Sequence, residues 1–522
     1  MQLKKLTLHY KKYTPILLLS FFSFFVNYYY GFIGVMPSDN FVLYNGGYRV
    51  LSGYTPFNDY WLITGPLLDY LNAFFFLING VSWKSYIIHS SLFNLILSLS
   101  TYFLFLNLGL KKNFSFFYSI IFSVLFYPIV GTPFVDHHST LFLILGFYLL
   151  IFGINNKNPI YFMFIPFLFC LSFLSKQTPA VYGLFGVSPL FIIFLAYKKK
   201  EIKNILLYIS VGSLISLLFL ILFFYFTGIK ITNFYDQYIL FAKTIGENRY
   251  SNINFNLIEI VDEFKIITIL LSFLIFIFIK LCKNKNRNIN SILSILAIIV
   301  LTCVLAFHQR YTFNQNYIFF LIPLLTGIIH IFYKKIFINK IPLIFIILMC
   351  VYASTKYHIR FNENRKFNEL EKVDLSKAID AKVLSKDLKK LKWITYSHPD
   401  NPTKEIENLK KVMSILSEDK SNKVLITDYQ FIAPSLKIYD YSPNQWHHPS
   451  VSFPTEGQKY YEKYKYFFIK SLKKNDISFI YETSNIDDAM VELVLSKDCF
   501  VKKRLTEMLI KFTLIKSCKD FL

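Results

Sequence analysis

The sequence predicts a polytopic α-helical membrane protein of about 11 transmembrane helices with a small C-terminal α/β soluble domain. Three observations carry this. Hydrophobic residues fill 54% of 522 positions and the mean hydropathy is +0.41, more than a chain with a mostly polar surface sustains. Apolar runs of about 17–24 residues recur, each long enough to cross about 30 Å of hydrocarbon as a helix. Acidic residues are sparse before position 361, 10 against 28 Lys/Arg, whereas residues 361–522 hold 23 against 28.

The expected spans run approximately over 15–35, 86–108, 114–131, 138–154, 160–175, 179–197, 205–227, 264–282, 290–307, 317–333 and 341–356. Inside lipid the backbone must satisfy its own polar groups, so helices are the reading for such runs. A membrane barrel would show short alternating strands instead, and the sequence shows none. The start is basic, with Lys4, Lys5, Lys11 and Lys12, and the run that follows is too long for a signal-peptide core and lacks a small-residue cleavage site. It reads as the first span.

The formal net charge of +23 would fit a nucleic-acid partner, but the positions of the lysines argue otherwise. With the N-terminus in the cytoplasm, every second junction is basic: Lys111–Lys112, Lys157, Lys198 to Lys200, Lys283 with Lys285 and Arg287, and Lys334–Lys335 with Lys340. That is the pattern of topology signals, and no nucleic acid is expected as a partner. The transmembrane domain therefore covers 1–356. The loops 36–85 and 228–263, and a domain at 357–522, face the periplasm or exterior.

That tail reads as alternating short strands (393–396, 424–429, 477–482, 512–516) and helices (404–416, 458–474, 487–495), separated by Asn, Pro, Ser and His loops. Cys499 and Cys518 lie in it. Outside the cytoplasm neighbouring thiols oxidise, so these two are expected to form a disulfide, while Cys170, Cys282, Cys303 and Cys350 fall in spans as packing residues.

The first outward loop is long, about fifty residues, and rich in Gly, Tyr and Asp; loops of that length concentrate function. It reads Pro37-Ser38-Asp39-Asn40, then Asn45-Gly46-Gly47-Tyr48, then Gly53-Tyr54-Thr55-Pro56-Phe57-Asn58-Asp59-Tyr60, then Gly65-Pro66-Leu67. From 39 to 51 its apolar residues recur at helical spacing, which predicts a helix lying at the membrane surface. Further on, Asp136-His137-His138 opens the fourth span, Ser175-Lys176-Gln177-Thr178-Pro179 forms an outward hairpin, and Arg310-Tyr311 precedes the tenth span.

In these segments the chain resembles the GT-C superfamily of membrane glycosyltransferases, more narrowly the branch of protein O-mannosyltransferases and the lipid A aminoarabinose transferase. The resemblance covers about residues 15–200 and fades beyond them, and Asn40 stands where the family often has a second acid. It implies an inverting glycosyltransferase that moves a sugar from a polyprenyl-phosphate donor to a lipid, glycan or protein acceptor at the outer face. Asp39 and Asp136 would be the catalytic carboxylates, Lys176 and Arg310 the donor-phosphate ligands, and Asp59, Gln177, Tyr311 and His137 further substrate contacts.

Elementary chemistry agrees with those assignments. A carboxylate such as Asp39 can take the acceptor hydroxyl's proton, and the lipid phosphate that leaves needs cations; arginine offers it two parallel hydrogen bonds and lysine a point charge. Topology sets Asp39, Asp136, Lys176 and Arg310 at one depth. The plainer readings are an N-cap for Asp136, a cap for Asp59 and a snorkelling anchor for Lys176. Neighbouring residues on a helix point about 100° apart, so Asp136, His137 and His138 do not make a shared metal site, and no cofactor is expected. A composition rich in Lys, Asn, Ile and Phe suggests an AT-rich bacterial genome, hence the cytoplasmic (inner) membrane and undecaprenyl phosphate as carrier. The competing functions are a flippase or transporter of lipid-linked sugars, which would carry charges in mid-span, and a non-catalytic cell-envelope assembly protein.

Overall fold

The structure is a computed structural model that describes residues 2–156, 158–199, 201–251, 257–284, 288–312, 317–483 and 490–515. Its helices are α1 (Gln2–Tyr30), α2 (Pro37–Leu51), α3 (Leu67–Asn79), α4 (Trp83–Asn107), α5 (Lys112–Leu125), α6 (Val135–Asn156), α7 (Ile160–Ser175), α8 (Gln177–Tyr197) and α9 (Ile202–Thr227). They continue as α10 (Ile231–Phe234), α11 (Ala242–Ser251), α12 (Leu257–Glu263), α13 (Lys265–Lys283), α14 (Ile289–Tyr311), α15 (Leu321–Ile336), α16 (Ile341–His358), α17 (Pro402–Glu418), α18 (Ile432–Leu436) and α19 (Tyr461–Lys474). A π-helical segment, Tyr235–Phe241, joins α10 to α11.

Each of the eleven expected spans contains a helix. Among the described residues, eight helical segments are long and apolar enough to cross a membrane, including α4, α6, α8, α9 and α13. The chain is thus a polytopic helical membrane protein. The span expected at 114–131 is shorter: α5 stops at Leu125. Beyond it the backbone stays irregular, because side chains take over its hydrogen bonds. Arg365 donates to the carbonyls of Pro128 and Val130 (2.8 and 2.9 Å). Asn27 and Ser90 both donate to the carbonyl of Gly131 (3.2 and 2.8 Å). Irregular backbone is tolerated at membrane depth when protein groups satisfy it in this way. Gly131 has φ +83°, and a Cβ there would lie 2.8 Å from the Cα of Gly31, so both conformation and space call for glycine.

The chain divides into two compact units. The first comprises residues 1–31, 90–221 and 253–366. Within it α6 packs closely on α7, and the sequence explains why. Ser139, Gly146 and Gly153 recur every seventh residue, so they share one face of α6. A Cβ on Gly146 would meet the Phe169 ring at 2.8 Å and one on Gly153 the Phe162 ring at 2.6 Å. Ser139 and Ser172 exchange hydroxyl-to-carbonyl bonds of 2.9 and 2.8 Å. Small residues let helix backbones approach, and hydroxyls add interhelical bonds where no water competes.

The second unit comprises residues 32–89, 222–252 and 367–522, so the soluble tail shares its unit with the first loop and with the segment after α9. The reason is a common core. Trp61 and Phe241 pack with Val424, Ile426, Phe453, Tyr464, Phe468, Ile480 and Phe512. Arg49 of α2 donates two bonds to one oxygen of Asp440 (3.0 and 2.6 Å) and a third to the Asn444 carbonyl (3.0 Å), with both side chains almost wholly buried. The strands are β1 (Ile379–Asp380), β2 (Lys392–Trp393), β3 (Lys423–Ile426), β4 (Phe479–Thr483), β5 (Phe500–Arg504) and β6 (Leu509–Leu514). The last four form a sheet in the order β3-β4-β6-β5, with β3 and β4 parallel and the other pairs antiparallel. β5 was not anticipated: its Lys502-Lys503-Arg504 run lacks apolar alternation. The expected helix at 487–495 does not form over 490–495, which are turns bonded Leu493 N to Met490 O and Val494 N to Val491 O; residues 487–489 lie outside the described residues.

Candidate functional site

The clearest concentration of buried charge in the first unit is built from three helices. Asp136 sits in the first turn of α6, just after Pro133, where the positive end of the helix dipole favours an anion. It is fully buried. Lys176 is the break between α7 and α8: its backbone is extended (φ −157°, ψ 137°), it closes α7 through a 3.0 Å bond to the Ser172 carbonyl, and it precedes the first residue of α8. Ser139 holds that break against α6 by donating to the Lys176 carbonyl (3.0 Å). The ammonium therefore reaches both oxygens of Asp136, each at 2.7 Å.

The third member was missed in the sequence. His308, in the last turn of α14, brings Nε2 to 3.1 Å from Asp136 Oδ1 and is wholly buried. A signal was available: His308 lies at the same expected depth as Asp136, at the polar end of an apolar span. Tyr182 of α8 packs beside it, with ring centroids 6.1 Å apart. Two positions along α14, Arg310 points elsewhere, since residues two apart on a helix are separated by about 200°. Its guanidinium bonds Glu263 (3.1 Å) and Glu259 (2.7 Å) of α12. Of the expected phosphate ligands, the structure brings Lys176 to Asp136 and gives Arg310 to two carboxylates.

His137 is fully buried among the rings of Phe126, Tyr127 and Phe134, with no hydrogen-bond partner on either ring nitrogen among the described residues. His138 meets the Tyr127 hydroxyl through Nδ1. Gln177 opens α8. Tyr311 ends α14, and its side chain lies outside the described residues. No group of three His, Cys, Asp or Glu among the described residues is placed to hold a metal ion.

In the second unit, Asp39 occupies the first turn of α2, which begins at Pro37. Its charge is felt at Tyr396: burial first, then the negative charges of Asp428, Glu369, Asp39 and Glu405, raise the pKa of that hydroxyl. Asp59 accepts from the Thr55 amide (2.8 Å) and from Lys474 (2.7 Å), a turn-closing role. Asp69 accepts from Tyr60 (2.7 Å) and Gln445 (2.9 Å); burial raises its carboxyl to about 7 against those bonds. Cys499 is disulfide-bonded, and Cys518 lies outside the described residues.

The chain is similar to solved membrane-enzyme structures at low identity. One is ArnT from Cupriavidus metallidurans in the apo state, at 9% identity, 99% of each chain covered and a TM-score of 0.45. Another is the Archaeoglobus fulgidus oligosaccharyltransferase with Zn and sulfate, at 11% identity over 90% of this chain and 68% of that one, TM-score 0.41. A third is AglB from Archaeoglobus fulgidus with an inhibitory peptide and a dolichol-phosphate, at 10% identity over 91% and 70%, TM-score 0.41. ArnT and AglB are GT-C superfamily members. No protein-family profile and no curated sequence matches the chain.

Proposed function

We propose that this protein is a membrane glycosyltransferase that moves a sugar from a polyprenyl-phosphate donor, with undecaprenyl phosphate as carrier, to an acceptor at the outer face of a bacterial cytoplasmic membrane. The observation that carries the reading is the Asp136–Lys176–His308 cluster. A lysine fixed by a carboxylate in a site of low water content is a prepared ligand for the phosphate that departs with the lipid, because its charge is oriented before the substrate arrives. Both oxygens of Asp136 are engaged by Lys176 and one also faces His308, so Asp136 orients the cation and is not the base. Asp39, in the first turn of its helix, is assigned the acceptor's proton. Arg310, held by Glu259 and Glu263, is given a structural role.

The test is sugar transfer by the full chain in proteoliposomes, with a panel of undecaprenyl-phosphate sugars and release of undecaprenyl phosphate as the readout. Asp39→Asn should lower kcat at least a hundredfold with donor binding retained, while Lys176→Gln should mainly raise the donor KM. Full activity of Asp39→Asn removes the base assignment.

A further inference from the structure

The second unit contains a cavity of about 500 Å³ that the proposed function does not use; of the candidate site residues singled out in the sequence only Asp59 lines it. One wall is α19. Lys463, Lys470 and Lys474 stand at spacings of seven and four, so they fall within about 40° of one another on a single face of that helix. Asp59, Trp61, Lys230 and Asp236 complete the lining from other segments of the unit. Four like charges around one cavity repel each other unless countered.

The countering is incomplete. Lys474 pairs with Asp59 at 2.7 Å and Lys463 with Asp236. Lys230 and Lys470 have no ion pair among the described residues, and both are exposed. The two carboxylates are less exposed than the two lysines paired with them, their side chains 18% and 17% accessible against 63% and 52%. The cavity therefore presents cations at its rim over neutralised pairs, with a surplus of two positive charges.

We propose that this cavity binds a phosphate monoester, whose charge of about −1.5 to −2 at pH 7 matches that surplus. Lys470 lies between the two paired lysines along its helix, and Lys230 lines the same cavity from the segment that follows α9. A lysine ammonium binds phosphate as a point charge without demanding one orientation, so the site selects the charged group and tolerates variety in what carries it. The carrier is a soluble sugar phosphate or a lipid headgroup; the chemistry is the same. The inference stands on the cavity alone and does not depend on the transferase reading.

The test uses the full chain in dodecyl maltoside micelles. Glucose 6-phosphate is the soluble probe, read by equilibrium dialysis, and dioleoyl phosphatidic acid in mixed micelles is the lipid probe, read by native mass spectrometry. Saturable binding of either, competed by inorganic phosphate, is expected, and the probe that binds identifies the source. Lys230→Gln with Lys470→Gln should weaken it at least tenfold. Asp236→Asn, which frees Lys463, should strengthen it severalfold, and this opposite sign keeps the test decisive if the double variant folds poorly. Failure of wild type to bind both probes, or affinities unchanged in both variants, overturns the proposal.

Discussion

His308 Nε2 lies 3.1 Å from Asp136 Oδ1 across 172 positions of sequence. The pair joins the last turn of one apolar helix to the first turn of another, and Lys176 completes it from a third. In a buried cluster of this kind, each member is costly to leave without the others.

That gives a stability cycle. Asp136→Asn leaves the partly buried Lys176 beside a neutral amide, and Lys176→Met leaves the fully buried Asp136 without its cation; each should cost up to about 3–5 kcal/mol. The double variant Asp136→Asn with Lys176→Met should cost less than the sum by at least about 1 kcal/mol. Thermal unfolding of the four proteins in one detergent measures this; additive costs would mean the two side chains do not interact.

The buried Arg49–Asp440 pair predicts a second loss, in the other unit. Arg49→Met strands a carboxylate that also accepts from Asn45 at 2.5 Å. A cost of about 3–5 kcal/mol is expected. Because the pair ties α2 to the tail, limited proteolysis should cleave near residues 437–445 faster in the variant. An unchanged digestion pattern would contradict the tie.

Stability should also depend on pH through Asp69. Its carboxyl is raised from 3.8 to about 7, chiefly by burial. Between those values the folded chain keeps a proton that the unfolded chain releases, so this group's contribution falls as pH rises through the window and is gone above about 7. The loss is roughly 2–4 kcal/mol. Glu482, raised to about 7 by burial, acts in the same direction. Asp69→Asn should reduce the slope of melting temperature against pH from 5 to 8; an unaltered slope would assign the dependence elsewhere.

The five basic junctions predict an orientation. With the N-terminus in the cytoplasm, a cysteine replacing Ser421 should react with an impermeant thiol reagent in intact or outer-membrane-permeabilised cells. Labelling only after the inner membrane is disrupted would reverse the topology.

The sequence by itself determined the membrane class, the helices within the eleven apolar runs and the helical course of the first loop, because hydrophobic length and periodicity are local properties that lipid reads directly. It also indicated Asp136 and Lys176 as polar groups at span ends. Only the tertiary structure decided their company. His308 joins Asp136 while Arg310, two residues on, turns to Glu259 and Glu263, a difference of helical phase that becomes meaningful once the neighbouring helices are in place. Asp39 was legible as a motif residue, but Tyr396, whose pKa its charge helps to raise, comes from a segment more than 300 positions away. Likewise the tail's composition marked it as soluble, yet its core needs Trp61 and Phe241 from other loops. Burial of large apolar side chains is non-directional and indifferent to sequence distance, so composition could show where a core was needed and not which segments would fill it.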